Sequence, residues 1–197
     1  MIPTEEEAEE PRKACFEGAL RHMKKKLEDY VITIPDFPEP GIMFRDVTGI
    51  LQDADGLCLA IDELCDLLKD VEFDAIMGPE SRGFIFSMPV AYKLRKPFIP
   101  VRKPGKLPRE TVSKSYDLEY GSATIEIHKD SIKPGDRVVI IDDLMATGGT
   151  LKATCELAEM LGGKVACICT VMELEGLHPR DALKGYDARS IIKYPGK

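Results

Sequence analysis

The 197-residue chain contains no tryptophan, three histidines and no pair of cysteines spaced Cys-x-x-Cys. Each shortage closes a class of function. Without paired thiols or clustered histidines, zinc-finger and dithiol-redox readings lack their ligand spacing. No apolar run approaches the ~20 residues that a membrane-spanning helix needs. Residues 1–10 hold five glutamates and no apolar segment, which does not read as a signal peptide. Positive charge is also in deficit: 27 Lys and Arg stand against 34 Asp and Glu, a net charge of −7. A nucleic acid or an anionic membrane calls for a basic face, so neither is an expected partner. The loop G-x-x-x-x-G-K-[ST] is missing, and so is a G-x-G-x-x-G following a strand.

What is present is the composition of a soluble globular protein, 44% hydrophobic and 31% charged. The length suits one α/β domain with a small appendage. Cys15, Cys58, Cys65, Cys155, Cys167 and Cys169 read as reduced thiols used as small apolar residues, which implies a cytoplasmic protein. Cys167 and Cys169 alternate in a strand-like run and should face the same side. His22, His128 and His178 lack metal-ligand spacing and read as surface or structural residues.

The pattern of apolar residues divides the chain further. Residues 12–29 form a charged amphipathic pattern that predicts a helix, and 31–40, with three prolines, an extended connecting loop. A helix is predicted over 53–70, with Asp53 or Asp55 as its cap. Predicted strands at 73–77, 97–102, 137–141, 165–171 and 189–194 alternate with predicted helices at 82–94, 149–161 and 178–183. Strands that are apolar throughout and alternate with helices predict a mostly parallel, twisted sheet with helices on both faces. Residues 115–120 and 124–128 read as an antiparallel hairpin insertion, and 103–114 as a basic lid loop broken by Pro104, Gly105 and Pro108.

The most informative run is Val-Val-Ile-Ile-Asp-Asp-Leu-Met-Ala-Thr-Gly-Gly-Thr at 138–150. It begins as a buried strand and ends where a helix starts. Ala146, Thr147, Gly148, Gly149 and Thr150 offer small side chains, hydroxyls and helix N-terminal N–H groups, which suit a phosphate. Asp142 and Asp143 would repel that phosphate, so they must serve another part of the ligand. A carboxylate accepts hydrogen bonds from vicinal hydroxyls. A ligand with a phosphate close to two hydroxyls is a ribose 5-phosphate.

The same run resembles the phosphoribosyl pyrophosphate (PRPP) signature of the type I phosphoribosyltransferases. The likeness extends from about residue 35 to 194. The segment Gly-Pro-Glu-Ser-Arg-Gly-Phe at 78–84 supports it, and Pro-Asp-Phe-Pro-Glu-Pro-Gly-Ile-Met-Phe-Arg-Asp at 35–46 and Tyr-Asp-Leu-Glu-Tyr-Gly at 116–121 narrow it to the adenine branch. The resemblance implies the type I phosphoribosyltransferase fold: residues 31–197 as one domain, with a small hood at 31–50 and a lid and hairpin at 103–128. Residues 1–30 would be an extension, an acidic tail plus a helix. It implies the reaction adenine plus PRPP giving AMP and pyrophosphate, through an oxocarbenium-like transition state. Mg²⁺ would be held mainly by PRPP and water, without a direct protein ligand, and the enzyme would be a homodimer.

By the same resemblance, Asp142 and Asp143 meet the ribose hydroxyls, and 146–150 grips the 5′-phosphate. Glu80, Ser81 and Arg82 form a pyrophosphate loop with a cis peptide at Glu80–Ser81. Arg102, Lys103 and Lys106 add cations at that end, reaching toward a partner subunit's site. Glu119 handles a proton on adenine, and Tyr120 orients the lid. The backbone of Met43, Phe44 and Arg45 reads the base, with Phe44 and Leu144 packing on its ring. Two positions depart from the family pattern: Gly49 stands where a proline is common, and His178 where a glycine is common. Two alternatives belong to the same fold: a phosphoribosyltransferase for a 6-oxopurine, and a regulator that binds PRPP or a nucleotide without catalysis.

Overall fold

The computed structural model describes residues 25–117 and 121–196. The chain divides into two compact units, up to Leu59 and from Ala60 onward. In the first, Leu27–Tyr30 forms one 3-10 turn; residues 12–24 of the predicted first helix lie outside the described residues. An antiparallel pair, β1 (Ile32–Pro35) and β2 (Met43–Asp46), follows. β1 corrects the prediction of an extended loop over 31–40: Pro35 closes the strand, and a proline at the end of an edge strand removes no needed donor. Next come α1 (Thr48–Leu51) and α2 (Ala54–Asp66). Asp53 caps α2, its Oδ1 accepting from the N–H groups of Asp55 and Gly56 at 2.9 and 3.2 Å. Gly49 lies against the 3-10 turn: a Cβ there would stand 2.3 Å from the Tyr30 carbonyl oxygen, so this chain has no room for the family's proline.

The second unit is built on a parallel five-stranded sheet of order β4-β3-β7-β8-β9. Its strands are β3 (Ala75–Pro79), β4 (Phe98–Val101), β7 (Arg137–Met145), β8 (Lys164–Leu174) and β9 (Ala188–Tyr194). α3 (Arg82–Leu94) follows β3, α4 (Gly149–Met160) follows β7, and the one-turn α5 (Pro179–Ala182) lies between β8 and β9. The antiparallel hairpin β5 (Thr111–Asp117) and β6 (Ser122–His128) is inserted between β4 and β7. This is the predicted α/β architecture.

The apolar runs explain the sheet. Val138, Val139, Ile140 and Ile141 are all fully buried, as are Ile76, Met77 and Ile168. At about 25 cal/mol per Å² of apolar surface removed from water, such a centre favours folding strongly. Ile125 and Ile127 of β6 enter the same core as Met145, Leu151 and Leu157, which anchors the hairpin to β7 and α4. β5 starts at Thr111, so the second part of the predicted lid loop is strand. Among the described residues no cysteine is in a disulfide, and the sulfurs of Cys167 and Cys169 lie 3.7 Å apart on one side of β8, as expected. His128 is buried, its Nδ1 without a partner among the described residues, and so is structural rather than superficial.

Candidate functional site

The C-terminal ends of the parallel strands are where open α/β sheets bind ligands. A cavity of about 730 Å³ opens there, within the size range of small-molecule sites. Its walls are the turn after β3, the loop after β4, the hairpin β5–β6, and the whole segment from Asp142 to Leu151 except Met145.

β7 does not stop before its acids. It runs on to Met145, with Asp142 opposite Thr170 and Leu144 opposite Met172. Both carboxylates are therefore fixed within a sheet, at 9% and 5% exposure. Burying two adjacent charges is costly unless they are compensated. Each has its own solution. Asp143 Oδ2 pairs with Arg82 Nε at 2.6 Å, across from the first turn of α3. Asp142 Oδ1 accepts the N–H of Asp143 at 2.9 Å. Burial first, then the Asp143 carboxylate and its hydrogen bonding, push the Asp142 carboxyl well above the usual carboxylate range, against the charge of Arg82. Gly83 permits this contact: a Cβ on it would stand 2.8 Å from Asp142 Oδ1.

The turn after β3 contains a non-proline cis peptide between Glu80 and Ser81, as the resemblance implied. Glu80 Oε2 meets Arg102 Nε at 2.6 Å. Burial pushes the Glu80 carboxyl up, but the Arg102 hydrogen bond, the Lys103 N–H and the charges of both residues outweigh it and hold the carboxyl low. Lys103 lines this chain's own cavity, and Arg102 is joined to it through Glu80. Lys106 lies exposed farther along the same loop and is not among the lining residues.

At the opposite wall, Gly148 turns the chain into α4 with φ +83°, in the left-handed region that favours glycine. The first turn of α4 carries N–H groups with no carbonyl one turn back, so residues 146–150 form an anion cradle at a helix N-terminus. The cradle has a backstop. A Cβ on Gly148 would lie 2.7 Å from the Pro179 carbonyl oxygen. The α5 segment that carries this carbonyl is clamped by Arg180, whose Nε and Nη2 reach the two oxygens of buried Glu173 at 2.7 and 2.8 Å. His178, at the family's glycine position, has φ 51° and takes the left-handed conformation that glycine would take there.

The structure therefore brings Glu80, Ser81, Arg82, Lys103, Asp142, Asp143, Leu144, Ala146, Thr147, Gly148, Gly149 and Thr150 around one cavity. Met43, Phe44 and Arg45 lie on β2 of the first unit, where Phe44 meets Phe37 edge to face and Arg45 Nη1 donates to Thr33 Oγ1. Glu119 and Tyr120 lie outside the described residues. Tyr116, also in the lining, carries no role in the sequence reading; its hydroxyl lies 3.0 Å from Thr150 Oγ1. Its only sequence signal is its place at the head of the Tyr-Asp-Leu-Glu-Tyr-Gly segment.

Residues 47–192 match the family model described as the phosphoribosyl transferase domain. The adenine phosphoribosyltransferase of Lachnoclostridium phytofermentans is 65% identical over 173 residues, covering 88% of this chain and 99% of the relative. Among solved structures, the adenine phosphoribosyltransferase of Thermoanaerobacter pseudethanolicus superposes with a TM-score of 0.82 at 50% identity, covering 86% of this chain and all of that one. The Saccharomyces cerevisiae enzyme, complexed with an imino-altritol bisphosphate and adenine, gives a TM-score of 0.78 at 36% identity over 89% of this chain and 99% of that one.

Proposed function

We propose, for a chain that belongs to the adenine phosphoribosyltransferase family, transfer of the 5-phosphoribosyl group of PRPP to adenine, yielding AMP and pyrophosphate. The observation that carries this reading is the joining of two buried acids to an anion cradle in one cavity. The relative complexed with an imino-altritol bisphosphate and adenine supports it.

In this reading, residues 146–150 hold the 5′-phosphate through helix N-terminal N–H groups and hydroxyls. Asp142 and Asp143 accept from the ribose 2′- and 3′-hydroxyls. The bond from the anomeric carbon to pyrophosphate breaks, adenine N9 attacks that carbon, and positive charge on the sugar peaks between the two events. The buried carboxylates stabilise that charge electrostatically. Arg82, Arg102, Lys103 and Lys106 balance the departing pyrophosphate. Glu119 takes or relays the proton that adenine gives up.

The cavity fits a Mg²⁺ ion that arrives on PRPP. Its acids Asp143 and Glu80 already face Arg82 and Arg102, and no three His, Cys, Asp or Glu among the described residues group to cage an ion. Mg²⁺ commonly keeps its waters and binds through substrate phosphates. Bound in that way, it neutralises charge on the leaving pyrophosphate.

The base is read by β2. In this reading the backbone N–H and C=O of residues 43–45 are the pair that matches adenine N1 and N6 while opposing the pattern of guanine. A homodimer in the cytoplasm completes the reading. The exposed face Ile85, Met88 and Tyr92 of α3 is the surface that a second subunit would cover.

The test is an assay of each purine base with PRPP and Mg²⁺, following nucleotide and pyrophosphate together. Adenine should turn over and guanine and hypoxanthine should not; turnover of guanine without adenine overturns the reading. Glu119→Gln should lower kcat at least ~10-fold while PRPP binding is retained. Unchanged turnover would falsify that role.

A further inference from the structure

We infer that Tyr116 is a positioning residue for the phosphate end of the substrate, acting through Thr150 as a two-hydroxyl relay. The inference rests on the reading of residues 146–150 as the phosphate cradle. The Tyr116 hydroxyl lies 3.0 Å from Thr150 Oγ1, and both residues line the cavity. Each hydroxyl carries one proton and can also accept. In the free protein either oxygen can be the donor.

An anion in the cradle removes that freedom. A phosphate oxygen only accepts, so the Thr150 proton must point to it. Thr150 Oγ1 is then left as an acceptor, and the Tyr116 proton fills it. The order becomes Tyr116 O–H to Thr150 O–H to phosphate. Chained hydrogen bonds polarise one another, and a charged end strengthens the effect.

The position of Tyr116 gives the relay a consequence. Its ring packs against the buried core beneath the hairpin, and it sits on β5 opposite Ala123. Lys114, two residues earlier, reaches Glu156 of α4 at 2.8 Å. β5 is thus tied to the phosphate helix at two points. Phosphate binding tightens one of them.

Tyr116→Phe keeps the ring and its packing and removes only the donor. The KM for PRPP should rise about 5- to 10-fold, a loss of one hydrogen bond in a charged chain. The KM for adenine, kcat and Tm should each stay close to wild type, because a donor that acts only on the phosphate end changes binding of that end alone. Placed on Thr150→Val, the same change should cost almost nothing further, because the acceptor is already gone. An unchanged KM for PRPP overturns the relay. So does an equal rise for both substrates, or a cost in the Thr150→Val background as large as in wild type. A wild-type protein that forms no AMP from adenine and PRPP overturns the functional reading itself, whereas these outcomes in an active enzyme overturn only the relay.

Discussion

The end of β7 and the hairpin β1–β2 handle polarity in opposite ways. At β7 two acids are buried and fixed, with Arg82, the Asp143 N–H and the sheet register defining their positions. On the hairpin the apolar side chains are the exposed ones: Ile32, Ile34, Phe37, Ile42 and Met43 stand between 37% and 49% exposed. The first region has met its desolvation cost during folding and, in the proposed reading, presents a finished surface to a sugar phosphate. The second leaves apolar surface uncovered, and a flat apolar base is a ligand that would cover it. A two-stranded hairpin alone is only marginally stable, so its shape owes more to what packs on it. In the proposed reading the shared chemistry is held rigidly, and the choice of base would rest on a lighter element.

The sharpest way to break this contrast is at Gly148. Gly148→Val forces a β-branched residue to φ +83° and drives its Cβ toward the Pro179 carbonyl, 2.7 Å away. Strain of this kind costs on the order of 1–3 kcal/mol, so affinity for AMP and PRPP should fall roughly 100-fold, as calorimetric titration would read it. The β1–β2 hairpin should be untouched, and its backbone exchange protection should remain as in wild type. A variant that binds AMP normally would mean that the cradle is not the rigid element described.

Asp142→Asn is the next largest and has two signs. Losing a charged acceptor should weaken AMP about 30-fold. Stability should move the other way. The Asp142 carboxyl is held well above its usual range by burial and by Asp143. Between its usual and raised values the folded state binds more protons than the unfolded one, so stability falls as pH rises through that window. Above the window the ionised group is a fixed cost, and below the usual carboxylate range the cost vanishes. Asn removes the cost, so Tm at pH 8 should rise by about 3 °C, and the gain should shrink as pH is lowered into the acid range. Thermal scans across pH check this; a variant less stable than wild type at pH 8 contradicts it.

The contrast also tracks what could be read in the sequence. Residues 138–141 are apolar without interruption, and a loop of small residues and hydroxyls follows, so the strand and the helix start after it are legible. The length of β7 is not. Its passage through Asp142 and Asp143 depends on Arg82, which is far away in sequence and has no local signal. The start of β5 at Thr111 has no clear sequence signal, because Thr-Val-Ser-Lys alternates too weakly beside a glycine- and proline-rich loop. β1 was hidden by its prolines. Tyr116 carried no visible role because its partner, Thr150, is contributed by another element. Elements that bury an apolar run announce themselves; contacts between polar groups from distant segments do not.

The smallest expected effect lies on the hairpin and sharpens the comparison from its other side. Met43 opens β2, pairs with Pro35 across the hairpin and is 40% exposed. In the proposed reading adenine is selected by backbone groups of 43–45, which no side-chain change removes. Met43→Ala trims apolar surface that is already in water, so Tm should move by less than about 1 °C. It also removes part of the surface that a base would cover, at about 25 cal/mol per Å². The KM for adenine should therefore rise only about 3-fold, with the KM for PRPP and the preference for adenine over guanine unchanged. Initial-rate measurements with both substrates varied read all three quantities. A lost preference for adenine would place selectivity in the Met43 side chain and not in the strand edge, and a rise of the KM for PRPP alone would remove the hairpin from base binding.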